Sequence, residues 1–463
     1  MSEDALLADA LDYARQFRAS LAERPVGARA SAAELRASFD IPLSEGGEDA
    51  RSVLRALAVE GDGGLVATAG PRFFGFVIGG SHPVALAADW LTSTWDQNSG
   101  LYVTSPLTAV LEETAGRWLC QLFGLPVDAG VGFVTGSQQA NLVGLACARH
   151  ALLAKAGWDV EARGLLGAPA FPIVVGAEAH VTILRALRFL GLGTETAIRV
   201  PVDGQGRMRP DALASTLAKL GVPPLVCAQA GNINTGAVDP LSPITDAVRA
   251  QGGWLHVDGA FGLFARVAPS RRHLVEGLER ADSWAVDMHK WLNVPYDAGV
   301  AIVRDAALLN AAMGTDAAYL VKSSAQRDGV NFVPEFSRRA RGIPTYAALR
   351  TLGRTGVAEL VERCCALARR MAERLGAAPG VRVLNEVVLN QVLVRFEPAD
   401  GSDSDARTRD VISRVQAEGT CWLGGSTWRG QAVMRVSVSG WNTTEADIDA
   451  SCDAILRCAS AAG

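Results

Sequence analysis

The stretch Ala281-Asp-Ser-Trp-Ala-Val-Asp-Met-His-Lys-Trp-Leu-Asn-Val-Pro-Tyr-Asp-Ala-Gly-Val-Ala-Ile-Val-Arg304 decides how this chain is read. It holds two apolar, strand-like runs, one stopping at His289-Lys290 and one resuming at Gly299, joined through Asn293 and Pro295. A lysine between buried-looking runs is unusual, because lysine is almost never fully buried unless its charge is compensated or its amine is used. A desolvated lysine with a lowered pKa is what Schiff-base chemistry requires. Alone, Lys290 would read as a surface residue in a tight turn. Upstream, however, Gly253-Trp-Leu-His-Val-Asp-Gly-Ala-Phe-Gly-Leu263 is a short apolar run that ends in a carboxylate followed by small residues.

Ligands of α/β proteins bind at the carboxyl ends of parallel strands, so Asp258 is expected to face a crevice. Residues two apart share a strand face, which puts His256 and Ala260 on the same side. An aspartate, a small residue against which a flat ring can lie, and a downstream His-Lys pair together suggest pyridoxal 5'-phosphate (PLP). Its aldehyde is held by a lysine and its ring nitrogen is kept protonated by a carboxylate. Asp258-Gly-Ala260 followed by His289-Lys290-Trp-Leu resembles the group II amino-acid decarboxylases, in the fold-type I branch of PLP enzymes that includes aromatic amino-acid and glutamate decarboxylases. The resemblance covers roughly residues 60 to 450. It implies an α/β fold-type I PLP-dependent transferase fold, with a mostly parallel sheet and helices on both faces. An N-terminal helical segment (1–70), a large PLP-binding domain (71–344) and a small α+β C-terminal domain (345–463) are expected. The implied reaction is decarboxylation of an L-amino acid to an amine, with Lys290 as the Schiff-base lysine, Asp258 on the ring nitrogen and His289 at the phosphate.

Composition narrows the partners. Lys and Arg number 44 against 49 Asp and Glu, a net charge of −5, which argues against a nucleic-acid binder. The 8 cysteines form no CxxC pair and read as buried reduced thiols, so a cytoplasmic compartment is expected. Six histidines without HxxxH spacing give no reason to expect a metal. No secretory signal and no apolar run long enough to span a bilayer is found, so a soluble protein is expected.

Residues 3 to 22 place Leu6, Leu7, Ala10, Leu11, Ala14, Phe17 and Leu21 at helical spacing, a helix that packs on its own domain or on a second subunit. Pro71 to Pro83 concentrates aromatics between glycines; the resemblance brings Phe76, Val77 and Ile78 to the substrate side of the cofactor, while a core segment is the plainer reading. Trp95 and Tyr102 are pocket candidates with core packing as the alternative. Gly132-Phe-Val-Thr-Gly-Ser-Gln-Gln-Ala-Asn-Leu-Val-Gly144 reads as strand, tight turn and helix start, where free backbone amides bind phosphate. Thr135, Gly136, Ser137 and Gln138 are the candidate phosphate cup, and the family places its phosphate loop here too. His180 opens a helix; at this place in the family a histidine stacks on the cofactor ring opposite the lysine. Asn232 stands where the family usually has a cofactor-contacting threonine. Strand and helix alternate from about 131 to 304, as a mostly parallel sheet requires.

The polar stretch Gly314 to Val333 is long enough to be an active-site lid. In aromatic amino-acid decarboxylases a lid tyrosine protonates the carbon after carbon dioxide leaves; Phe332 is the match to it here, and Tyr319 matches an earlier family position. Relatives with phenylalanine there release aldehyde, so an aldehyde synthase is the alternative product reading, and a fold-type I carbon–carbon lyase or aminotransferase is another. Arg338, Arg339 and Arg341 form a basic cluster that fits a solvated face, a phosphate contact from a neighbouring subunit or an anchor for an acidic substrate. The resemblance also implies a homodimer with the active site at the subunit interface. A catalytically silent relative serving as a binding partner is the remaining reading.

Overall fold

The structure is a computed structural model that describes residues 3–315 and 326–460; Tyr319 lies outside them. Two compact units emerge. One joins the segment up to Ile78 with Arg370–Leu384 and the chain from Leu393; the other takes Gly79–Arg369 and Asn385–Val392. This differs from the expected division at 70 and 345. The reason lies in the first unit's core, where Leu21, Val26, Ala67 and Phe73 cluster with Trp422. The Phe73 and Trp422 rings stack at 5.0 Å, and Arg72 and Phe74 exchange backbone hydrogen bonds with Trp422. The N-terminal segment is therefore part of the unit that holds the C-terminal region.

In that first unit α1 (Glu3–Ser20), α2 (Ala32–Phe39) and α3 (Ala50–Arg55) bury no residue fully, and Leu7 and Leu11 of α1 stay exposed. The second unit opens with α4 (Pro83–Trp95) and α5 (Pro106–Phe123), both started by proline, whose missing N–H costs nothing at a first turn. Strand and helix then alternate through β1 (Gly130–Val134), α6 (Ser137–Lys155), α7 (Val160–Arg163), β2 (Ile173–Gly176), α8 (Val181–Phe189), β3 (Ala197–Val200), α9 (Pro210–Leu217), β4 (Leu225–Gln229), α10 (Leu241–Ala250) and β5 (Trp254–Asp258). The expected alternation stops there. Only 3-10 turns connect β5 to β6 (Ser283–Asp287), and β7 (Gly299–Val303) follows without a helix.

The sheet order is β1-β7-β6-β5-β4-β2-β3. Pairings from β6 outward to β3 are parallel, and β7 runs antiparallel to both its neighbours. Strands β1, β2, β4, β5, β6 and β7 are buried at every position, the pattern of a sheet covered on both faces, whereas β3 at the edge is partly open. A smaller sheet, β10-β11-β9-β8, is built from β8 (Val381–Val383), β9 (Gln391–Phe396), β10 (Gly424–Trp428) and β11 (Gln431–Ser437). Among the described residues no helix is long and apolar enough to cross a membrane.

Candidate active site

Because β7 alone runs against the rest, the carboxyl ends of β1, β2, β4, β5 and β6 open on one sheet edge. That edge carries Thr135-Gly136-Ser137 after β1, His180 after β2, Asn232 after β4, Asp258 at the end of β5, and His289-Lys290 after β6. The topology thus gathers most residues expected from the sequence.

Lys290 Nζ lies 3.0 Å from Asp287 Oδ2, and Asp287 is 2% exposed. The Ser137 backbone N–H donates to Asp287 Oδ1 at 2.5 Å and the Ser137 hydroxyl to Oδ2 at 2.6 Å. His289 Nε2 is 3.4 Å from the same carboxylate. Burial opposes the Asp287 charge, yet Lys290, His289 and Ser137 outweigh it and hold its carboxyl below the usual range. Burial likewise pushes the His289 ring down despite Asp287. The Ala298 N–H donates to His289 Nδ1 at 3.1 Å, which leaves the neutral ring's proton on Nε2, toward Asp287. Asp287 therefore ties the turn at Ser137 to the lysine. The sequence reading passed over it, although the strand-end argument used for Asp258 applies to it equally.

Backbone approaches backbone at this turn. A Cβ on Gly299 would sit 2.4 Å from the Gly136 Cα, and a Cβ on Gly136 would lie 3.1 Å from His289 Cε1. Within the cup, the Thr135 hydroxyl donates to Gln139 Oε1 at 2.8 Å and Gln138 Nε2 to the Thr182 carbonyl at 3.3 Å.

Asp258, 4% exposed, accepts from Asn141 Nδ2 at 3.2 Å and from the Ala260 N–H at 3.2 Å. Both donors are neutral. His180 caps α8, its Nδ1 accepting from the Thr182 N–H at 3.4 Å and facing the Thr182 hydroxyl at 2.8 Å. Asn232 is 1% exposed; its Oδ1 accepts from the Asn234 and Thr235 N–H groups, while its Nδ2 is buried without a partner among the described residues. A buried orphan donor is costly unless something accepts from it. With a lysine, a carboxylate met among the described residues only by neutral donors, and a helix start on one edge, this donor set fits PLP.

Phe76, Val77 and Ile78 belong to the other compact unit. There Val77 is buried, Ile78 packs on the Leu21–Phe73 cluster, and Phe76 stays 57% exposed with its ring 5.6 Å from Trp422. Trp95 ends α4 and is exposed, and Tyr102 starts a 3-10 turn. Phe332 packs on the core of the large unit beneath the Arg327 guanidinium, 3.7 Å from its ring centroid. The basic cluster is divided among three carboxylates. Arg338 grips Glu112, Arg339 meets Asp89 at 2.7 Å, and Arg341 meets Asp297 at 2.6 Å.

Residues 35–397 match the family model described as "Pyridoxal-dependent decarboxylase conserved domain". The aromatic-L-amino-acid decarboxylase of Bacillus atrophaeus is 27% identical over 437 residues, covering 92% of this chain and 89% of that protein. The human cysteine sulfinic acid decarboxylase is 30% identical over 394 residues, covering 82% of this chain and 78% of that one. The solved structure of Oryza sativa TDC with PLP and tryptamine superposes with a TM-score of 0.92 over 100% of this chain and 99% of that one, at 23% identity, a likeness of fold.

Proposed function

The chain belongs to the pyridoxal-dependent decarboxylase family, and we propose that Lys290, Asp258 and His180 are the residues with which it removes carbon dioxide from an L-amino acid to leave an amine. PLP, when bound, supplies an electron sink for the bond that breaks. Lys290 is the residue whose amine would hold it covalently and would be freed when the substrate amine takes its place. Asp258 holds the proton on the ring nitrogen, a charge arrangement set before reaction. His180 is positioned at the N-terminus of α8 on the same edge, where it can hand a proton to the carbon left behind.

Thr135, Gly136 and Gln138 around the start of α6 would hold the phosphate, with His289 beside them, while the Ser137 amide and hydroxyl are held by Asp287 and would have to be released to join them. Asn232 Nδ2 is a buried donor that would be available to the cofactor, and Ala260 would leave room for a flat ring. The observation that carries this reading is Asp258: a buried carboxylate whose partners among the described residues are all neutral, on the sheet edge that also bears Lys290.

The active form we propose is a homodimer. Trp90, Leu91 and Trp95 on α4 and Leu107 and Val110 on α5 are exposed, and a second copy is the cover that the family suggests. All cysteines are free and buried, which supports a reducing, cytoplasmic setting.

The test is product identification by mass spectrometry after incubating the PLP-loaded protein, in air, with each standard amino acid. Amine is the expected product, and Lys290→Ala abolishes both turnover and the visible absorbance of the lysine-bound cofactor. Aldehyde with peroxide as the main product, or turnover by the Lys290→Ala variant, would overturn the assignment.

A further inference from the structure

Behind Asp258 a row of buried polar side chains runs into the interior. Asn141, on α6, donates from Nδ2 to Asp258 Oδ2 and to Thr182 Oγ1, each at 3.2 Å, and its Oδ1 faces His256 Nε2 at 2.9 Å. Rotating the amide would set its oxygen against a carboxylate, so the assignment is forced by its partners. His256 must then carry a proton on Nε2.

His256 is 0% exposed, and burial pushes its ring down to about 3, so it is neutral and that proton is its only one. Its Nδ1 therefore accepts from the Ser283 hydroxyl at 2.8 Å. The Ser283 oxygen accepts in turn from Trp254 Nε1 at 2.9 Å. The ring's seat is kept open by Gly144, where a Cβ would come within 2.7 Å of His256 Nδ1.

We propose that Trp254, Ser283, His256 and Asn141 form a one-way chain of hydrogen bonds ending on Asp258, with Asn141 as the positioning residue that presents the last donor. Every donor in the chain points toward the carboxylate, and aligned hydrogen bonds polarise one another. The arrangement aims its last donor at the Asp258 carboxylate without a formal positive charge. A lysine or arginine in the same place would neutralise the carboxylate and weaken its hold on a protonated ring nitrogen. A chain of dipoles keeps that hold. The inference rests on the assignment of Asp258 made above.

Long-range nitrogen-15 NMR on the full, PLP-loaded chain reads the ring tautomer directly. His256 is expected as neutral Nε2–H; an Nδ1–H or doubly protonated ring overturns the proposal with no variant needed. Titration of PLP then gives the dissociation constant of each variant. Asn141→Ala is expected to raise it about tenfold, the loss of one hydrogen bond to a charged group. Ser283→Ala, farther along the chain, is expected to leave His256 as Nε2–H, because Asn141 still faces it, and to raise the constant by a smaller factor. Should Asn141→Ala not fold, Ser283→Ala and the parent's tautomer still decide. Asp258→Asn separates the two levels. If it weakens PLP binding while Asn141→Ala and Ser283→Ala remain within about twofold of the parent, the chain is refuted and the Asp258 assignment stands. If Asp258→Asn leaves PLP binding unchanged, both fall.

Discussion

Glu112 and Asp258 are both carboxylates buried in the large unit, and the two are answered in opposite ways. Glu112, 1% exposed, receives both guanidinium arms of Arg338 at 2.6 and 2.7 Å, and Arg327 Nε stands 3.6 Å away. Burial pushes Arg327 down to about 10, whereas Arg338, although burial opposes it, is held above its usual range by the bidentate pairing. Among the described residues Asp258 receives only an amide side chain and a backbone N–H. A buried charge met by formal opposite charges is complete within the chain. One met only by dipoles keeps an unanswered demand for a cation, and at a strand end that demand marks a binding site.

The contrast breaks first at Glu112. Glu112→Gln removes the carboxylate that pairs two buried guanidinium groups and is expected to cost about 3–5 kcal/mol of stability. Denaturant unfolding measures the loss, and PLP affinity of the folded fraction should be unchanged; a variant that keeps its stability but loses PLP would reverse the two roles. Asp258→Asn is the mirror image. Stability should stay within about 1 kcal/mol while kcat falls about 100- to 1,000-fold, the scale for removing one preorganised electrostatic group. Steady-state kinetics beside an unfolding curve separates the two.

A smaller effect sharpens the dipole side. The folded His256 sits near 3 against an ordinary 6.5, so as pH falls below 6.5 the unfolded chain takes up a proton that the folded chain refuses. This residue should therefore cost about 1.4 kcal/mol per pH unit between those values. The unfolding free energy of the parent minus that of His256→Gln should decline with that slope as pH drops, and a flat difference would contradict a neutral buried ring. The smallest change belongs to the surface. Arg339 is 37% exposed beside Asp89, and Arg339→Ala should alter stability by less than about 1 kcal/mol in the same unfolding assay.

Lys290 and Asp258 were legible because each is a charged group placed where an apolar run stops. Asn141, Thr182 and Ser283 carry no such mark. Asn141 and His256 stand 115 residues apart, and only the folded sheet brings the helix after β1 against β5. The alternation of strand and helix predicted the parallel half of the sheet, and it failed between β5 and β7, where short turns take over from helices. Strand β10 escaped notice because Gly424-Gly425-Ser-Thr has poor strand propensity. A turn signal was nevertheless present. Arg429 and Gly430 both take positive φ, 51° and 80°, the pattern of a two-residue hairpin loop joining β10 to β11. The grouping of the N-terminal segment with the C-terminal region depends on Trp422 stacking on Phe73, a pairing that no local pattern announces.

Raising heat tolerance by trading glycine for alanine gains from the stiffer unfolded chain wherever the folded backbone allows it. Here the return on that strategy is set position by position. Gly424 has an ordinary backbone conformation and nothing within 4 Å of a new methyl, so it belongs in such a library. Gly299 is the opposite case, since its methyl would meet the main chain of Gly136 at 2.4 Å and no rotamer change can relieve a clash between two backbones. A stabilised catalyst would thus be sought by mutating the rim of the small sheet and leaving the β7 crossing as it is.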